Sequence, residues 1–371
     1  MKDKFFSVLY SLYLSIYRFV MRQIYIRIDR DRAKGCAPIK PEDKRAIYDY
    51  WKRYGLKPKL DDYRLYADRG LKPEPGLIST EIWTEIIEPN HNSLKYCGAF
   101  TDKNYFDLVL GRENTPDTVV RCISGSLLDG DYRPVTAQQA ADLLADGTDY
   151  ILKPTIESGG GRDVSKVEGA CMDADQLERA RADFGGNFCV QEIFKQHKFL
   201  QSFNPTSVQS VRVVSVFLDG KVDILCASMR MGKAGSVVDN FVSGGYAVSI
   251  DVETGTIGGK LVDHDMKVYT AQEAGMKRSG ERIPFWEDAK QLVCDLHPRL
   301  AHFGIISWDV TLDETGTPKI IEYNLIDSLI DWHQIFIGPI LGDKDVELLP
   351  KLLKKTPTFR YDDEAACNPR Q

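Results

Sequence analysis

Two distant stretches of this 371-residue chain hold residue types spaced as phosphate and metal chemistry would use them. In the first, Lys153 leaves a short apolar run and is followed by Ser158-Gly159-Gly160-Gly161. Three successive glycines cost backbone entropy and allow close approach, while neighbouring N–H groups in such a turn form an anion nest beside which a lysine adds a point charge. A phosphate-binding loop and a plain flexible hairpin are the two readings. No Gly-Lys-Ser/Thr and no Gly-x-Gly-x-x-Gly occurs, which excludes the Walker and dinucleotide loops.

The second stretch is Ser307-Trp308-Asp309-Val310-Thr311, then Gly316-Thr317-Pro318, then Ile320-Ile321-Glu322-Tyr323-Asn324. Two strands joined by that turn put Asp309 opposite the Glu322/Asn324 end, and a period of two puts Glu322 and Asn324 on one face. Three hard oxygen donors suit Mg²⁺, which keeps waters and bridges substrate phosphates. A polar hairpin with a solvent face is the alternative, but a carboxylate set in an apolar strand is costly without a partner, which favours the metal. Arg212 and Arg230, each in a strand-like run, need an anion as well, either a carboxylate or a transferring phosphoryl group. The polar loop Asp239-Asn240-Phe241-Val242-Ser243-Gly244-Gly245 is the kind of segment that carries substrate contacts, which makes Asn240, Ser243, Gly244 and Gly245 substrate-binding candidates.

The elements that must position these groups follow from periodicity. Tyr150–Leu152, Ser210–Leu218, Val222–Ala227, Tyr246–Asp251, Ile305–Leu312 and Lys319–Tyr323 read as strands. Pro41–Tyr54, Lys103–Leu110, Asp173–Phe184 and Pro284–Phe303 read as helices, and Leu71–Ile78 as a loop. Strands and helices without strict alternation imply α+β lobes rather than a doubly wound parallel sheet.

A chain this long, 43% hydrophobic and 27% charged, implies more than one packed lobe of an ordinary globular protein. Its net charge of −6 denies nucleic acid a global positive field. The basic charge is concentrated: residues 1–70 hold 17 Lys or Arg against 9 Asp or Glu, leaving 31 against 45 for the remainder. Eight dispersed cysteines without a Cys-x-x-Cys pair, and six scattered histidines, argue against a zinc enzyme and a disulfide scaffold and for a reducing cytoplasm. Phe5–Tyr17 carries no charge but is too short to span a bilayer, and no small-x-small cleavage site follows it. As a helix it sets Ser7, Ser11, Ser15, Arg18 and Arg22 in a narrow polar stripe. Phe5, Phe6, Leu9, Leu12, Tyr13, Ile16, Phe19 and Val20 cover the rest. Such a helix either docks on an anionic membrane surface or a partner, or packs on the protein's own core.

The order of these pieces resembles the ATP-grasp superfamily. Asp102-Lys103-Asn104-Tyr105, Gln191-Glu192 with Gln196-His197, Asn204-Pro205-Thr206-Ser207, Val211-Arg212 and Asp239-Asn240-Phe241 with Gly244-Gly245 narrow the resemblance to the sugar-transfer-associated ATP-grasp family, over roughly residues 40–340. The resemblance implies an α+β fold in which two lobes clamp ATP. Residues 1–34 would form the basic docking helix, 35–95 a helical accessory region, 96–186 the first lobe, 187–345 the second lobe and 346–371 a tail. It implies that Lys103 and Lys153 hold nucleotide phosphates, with Ser158, Gly159, Gly160 and Gly161 closing over them, and that Gln191, Glu192 and Ile193 form the adenine hinge. Asp309, Glu322 and Asn324 match the family's Mg²⁺ ligands, and Arg212 and Arg230 its charge-stabilising arginines. Where many relatives carry an acidic ribose contact, this sequence has His197 and Lys198, which makes His197 the candidate there.

The function so implied is an ADP-forming carboxylate–amine ligase acting through an acyl-phosphate. Its acid would be a uronic acid or amino acid, in surface-polysaccharide synthesis, with residues 1–34 holding it to the inner face of the membrane. An ATP-grasp small-molecule kinase and a non-catalytic nucleotide-binding scaffold at a membrane assembly are the alternatives.

Overall fold

A computed structural model describes residues 2–156, 163–168, 172–231 and 245–354. The chain opens with helices α1 (Lys2–Arg32), α2 (Pro41–Lys52), α3 (Asp61–Asp68) and α4 (Thr80–Ile82), a π-helical turn at Trp83–Ile87, α5 (Glu88–His91) and α6 (Leu94–Phe100). A 3₁₀ turn at Lys103–Tyr105 leads into α7 (Phe106–Leu110). Then follow β1 (Thr118–Ile123), β2 (Ser126–Asp129), α8 (Ala137–Leu144), β3 (Asp149–Pro154), β4 (Ser165–Glu168), α9 (Ala174–Asp183), β5 (Phe188–Glu192) and α10 (Lys198–Gln201). The remainder is β6 (Val211–Leu218), β7 (Lys221–Met231), β8 (Tyr246–Ile250), β9 (Ile257–Asp263), β10 (Val268–Thr270), α11 (Trp286–Leu296), β11 (Ile305–Leu312), β12 (Pro318–Asn324), α12 (Asp331–Ile337) and α13 (Asp345–Leu352).

Among the described residues these strands form two antiparallel sheets, one of five strands in the order β2-β1-β5-β3-β4 and one of seven in the order β10-β9-β8-β7-β6-β11-β12. The α+β architecture expected from the sequence is therefore present. On the smaller sheet, Val120, Cys122, Leu152, Phe188 and Val190 pack against α8 and α9 through Ala140, Leu144, Leu177 and Ala180. Thr136 caps α8 in a reciprocal box with Gln139, and Asp173 caps α9 by accepting the Gln176 N–H.

The larger sheet is covered on both sides, and β6 shows how alternation divides them. Val211 and Val213 face α11, where Trp286, Ala289, Val293 and Leu296 are buried. Val214 and Val216 face the N-terminal helices and α13, with Ile47, Trp51, Leu77 and Leu349 in the same core. In α2, Pro41 opens the helix, acidic residues occupy its first turn, and Ile47 and Trp51 share the buried face. Trp51 Nε1 donates to the Tyr63 hydroxyl at 2.8 Å, which donates to the Leu77 carbonyl, so α2, α3 and the following loop are fixed together.

Two expected helices differ in form. Lys103–Leu110 divides into a 3₁₀ turn and α7, because the Asp102 carboxylate captures the Asn104 N–H and tightens the first turn. The helix expected over Pro284–Phe303 starts only after Phe285, which has φ of +54°, and loosens into a 3₁₀ turn at His297–Leu300 where Pro298 withholds an N–H.

Candidate active site

The seven-stranded sheet carries a file of polar side chains across four adjacent strands. Its register places Glu322 beside Asp309, Asp309 beside Arg212, and Arg212 beside Ser228. Directly cross-strand residues share a face, so all four point the same way, joined by Arg230 two residues beyond Ser228. Asn324 pairs with Ser307 one step along the same face. Asp309 is 2% exposed, a costly position for an unpaired carboxylate. Arg212 satisfies it with a bidentate fork, Nε to Oδ1 and Nη2 to Oδ2, both 2.9 Å, and Arg230 Nη2 adds a third bond at 2.8 Å. Burial opposes the charge, but the two guanidiniums outweigh it and hold the carboxyl below its ordinary range. Under this file lies His333 of α12, whose Nε2 is 3.0 Å from the Ser228 hydroxyl. Burial, with the Arg212 charge adding to it, pushes that imidazole down to about 3, so it is neutral.

Across from this file stands the second face of the smaller sheet, the one away from α8 and α9, where Lys153, Cys189 and Arg121 are neighbours in register on β3, β5 and β1. Arg121 is fully buried and pairs with Asp107 and the Asn104 carbonyl, its guanidinium 4.2 Å from the Tyr132 ring centroid. Lys153 makes no ion pair among the described residues, and burial pushes its ammonium pKa down, with Lys103 adding to the shift and Glu322 opposing it. Lys103 spans the gap: its backbone N–H donates to the Thr155 carbonyl at 3.2 Å and its Nζ lies 3.0 Å from Glu322 Oε1. Asn104 locks this arrangement by donating from Nδ2 to the Cys122 carbonyl at 3.0 Å and to Thr155 Oγ1 at 3.1 Å. A narrow cleft between the sheets is lined by Lys103, Phe106, Thr118, Lys153, Gln191 and Ile320, among others.

The candidate residues named from sequence divide into four groups. Lys103, Lys153, Gln191, Arg212, Arg230, Asp309, Glu322 and Asn324 come together around the cleft and the adjoining polar file. Glu192 and Ile193 lie where the chain leaves β5 and crosses to the larger sheet, and the Glu192 N–H donates to the Asp117 carbonyl at 3.1 Å. His197 stands farther along this crossing: its ring nitrogen caps α10, its N–H meets the Leu312 carbonyl at 2.9 Å, and its ring packs edge-on against Phe285. Gly245 is buried next to the start of β8. Ser158, Gly159, Gly160, Gly161, Asn240, Ser243 and Gly244 lie outside the described residues.

Sequence reasoning named Asn104 within its motif without giving it a role, and missed Arg121 and the Ser228–His333 pair. The available signal was an arginine in the apolar run Val119-Val120-Arg121-Cys122-Ile123, which follows the same logic that singled out Arg212. The two carboxylates and one amide of the expected metal set share a face of paired strands. Among the described residues no group of three His, Cys, Asp or Glu side chains is arranged to hold a metal.

A sequence model of the family described as sugar-transfer associated ATP-grasp matches residues 88–342. No curated protein sequence matches the chain. Solved structures that align with it include D-cycloserine synthetase DcsG, at 16% identity and a TM-score of 0.39, covering 68% of this chain and 70% of that one. Another is biotin carboxylase in complex with β,γ-ATP from Campylobacter jejuni, at 14% and 0.42, covering 72% of this chain and 48% of that one, so that this chain spans about half the carboxylase's length. A third is D-alanyl-alanine synthetase A from Vibrio cholerae O1 biovar eltor, at 14% and 0.41, covering 71% and 67%.

Proposed function

This chain belongs to the sugar-transfer-associated ATP-grasp family, and we propose that it is an ATP-dependent carboxylate–amine ligase. The observation that carries the reading is a half-buried lysine, Lys153, with no ion pair among the described residues, set beside Lys103 and facing the Glu322–Asp309–Arg212–Arg230 file. Such a cleft suits an anion as highly charged as a triphosphate.

In this reading Lys103 and Lys153 hold the ATP phosphates, and Ser158, Gly159, Gly160 and Gly161 close over them. Gln191, Glu192 and Ile193 meet the adenine, with His197 on the ribose side. Lys103 exchanges Glu322 for a phosphate oxygen. The donor set fits Mg²⁺ in kind, since Asp309, Glu322 and Asn324 are hard oxygen donors on one face of two paired strands. They would hold the ion, which supplies neutralisation of phosphate charge. Asn240, Ser243, Gly244 and Gly245 hold the acceptor.

A substrate carboxylate oxygen attacks the γ-phosphorus, and ADP departs with the bonding pair. An amine nitrogen then attacks the acyl carbon, phosphate departs, and the amine proton passes to solvent. Arg212 and Arg230 counter the charge on the transferring phosphoryl group. Rate comes from positioning and charge neutralisation, so no Ser or Cys nucleophile is required. The acid is a uronic acid or amino acid in surface-polysaccharide synthesis, and α1 holds the enzyme to the inner face of the membrane. Leu12, Ile16, Phe19, Val20 and Ile24 support the last point as an exposed apolar stripe on α1, although none of the described helices is long and apolar enough to cross a membrane.

Hydroxylamine trapping tests the chemistry. With ATP, Mg²⁺ and a screen of uronic and amino acids, the expected products are ADP and a hydroxamate. AMP with pyrophosphate, or a stable phosphate ester on a hydroxyl, would contradict the ligase reading.

A further inference from the structure

Beneath α1 lies another cavity, of about 330 Å³, within the range that holds small-molecule ligands. Tyr17 and Tyr25 of α1, Glu85 of the π-helical turn, Glu88 of α5 and Asp327 after β12 contribute to its wall. It shares no lining residue with the cleft of Lys103 and Lys153. It nevertheless adjoins the polar file, because Ile326 in its wall is two residues past Asn324, at most about 7 Å along the chain. Asn92, also in the wall, fixes that end of the sheet: its Nδ2 donates to the Ile305 and Leu325 carbonyls at 2.6 Å each, and its Oδ1 accepts the Ile305 N–H at 3.0 Å.

The charge of the cavity is one-sided. Three acidic side chains line it, Glu85, Glu88 and Asp327, and no lysine, arginine or histidine does so among the described residues; burial raises the Glu88 carboxyl to about 7, and an ammonium beside it favours the ionised form. The Tyr25 hydroxyl donates to Asp327 at 2.6 Å, while Glu88 accepts the backbone N–H groups of Asp327 at 3.1 Å and Ser328 at 2.8 Å. A phosphate or carboxylate is repelled by these walls. An ammonium is attracted, and tyrosine rings reinforce it through cation–π contact. The mouth is apolar: Phe19, 61% exposed, lines the cavity and belongs to the exposed stripe of Leu12, Ile16 and Val20.

We propose that this cavity binds an amphiphilic primary amine, with the ammonium between the carboxylates and tyrosines and the apolar part running out past Phe19. This deepens the ligase reading and rests on it, by naming the class of the amine substrate. Calorimetry on the full chain with octylamine hydrochloride, ethylamine and octanol as probes separates the contributions. Octylamine should bind about tenfold more tightly than either probe that lacks one half of the recognition. Thr84→Trp, which fills the cavity, should abolish octylamine binding. Asp327→Asn, which keeps a residue tolerant of the φ of +58° there, should weaken it several-fold.

In the trapping assay, octylamine should suppress hydroxamate formation by the parent chain but not by Thr84→Trp. Equal binding of octanol and octylamine, binding that survives Thr84→Trp in a variant with the parent's circular dichroism, or no suppression would each overturn the proposal. Failure of hydroxamate formation in every arm would strike the ligase reading while leaving the calorimetry to judge the cavity.

Discussion

The two sheets bring opposite charge situations to one cleft. On the seven-stranded sheet the cations are matched within the chain: Arg212 and Arg230 share Asp309, and Lys103 reaches across to Glu322. On the five-stranded sheet Lys153 lies beside the Cys189 thiol with no ion pair among the described residues, and burial drives its ammonium pKa down. One surface stabilises the chain as it stands. The other holds charge at a cost to stability, the usual mark of a residue kept for a ligand.

Breaking the matched side should have the largest effect. Asp309→Asn leaves two guanidiniums without their shared counter-charge in a buried setting and should destabilise the protein by about 3–5 kcal/mol in urea titrations. A loss under about 1 kcal/mol would mean that the arginines find other partners. Because the two arginines hold Asp309 below the ordinary carboxylate range, its contribution is full above that range and is lost as pH falls through the lowered native value.

Glu322→Gln is nearly isosteric and touches only a partly exposed pair, so stability should change by about 1 kcal/mol or less. ATP turnover should fall about a hundredfold or more if Glu322 belongs to the ion-binding set. Near-normal Mg²⁺-dependent ADP formation by the folded variant would remove it from that set.

A pH series sharpens the contrast from outside the cleft. Burial raises the Glu88 carboxyl to about 7, so the native chain holds a proton that the unfolded chain releases near its ordinary value of about 4.3. The stability tied to that proton is complete below the unfolded value and is lost as pH rises through about 7. His333, buried and pushed down to about 3, acts in the other direction, withdrawing stability as pH falls below its ordinary value. Melting temperatures of Glu88→Gln between about pH 4 and 8 should lose the downward slope that the parent shows between about pH 4 and 7. An unchanged slope would assign it to other buried carboxyls, such as Asp62, which burial raises to about 6.

Much of the larger sheet was legible because its strands are apolar runs interrupted by single polar residues. Glu322 and Asn324 could be put on one face, and Asp309 opposite them, from a period of two and one Gly-containing turn, and β11 and β12 pair in that register. The shared partner of Arg212 and Arg230 was not legible. It depends on the strand order β7-β6-β11, which brings together residues 97 and 79 positions apart. The β1–β2 hairpin was missed although Ser124-Gly125, both at positive φ, is a two-residue turn signal between apolar runs. The cavity under α1 escaped for a different reason: Tyr17, Glu88 and Asp327 meet only when the long helix is laid against the end of β12, and no local pattern encodes that docking.

The central claim is that Lys153 is held at a cost for the phosphates of ATP, and thermal denaturation of Lys153→Met with and without MgATP tests it most directly. The variant without nucleotide should be more stable than the parent by up to about 1 kcal/mol, since a half-buried, partly desolvated charge is replaced by a chain of similar shape. At about a hundred times the parent's dissociation constant, MgATP should stabilise the parent by about 2.7 kcal/mol and the variant by much less. A variant that starts no more stable than the parent and gains as much from MgATP would contradict the account.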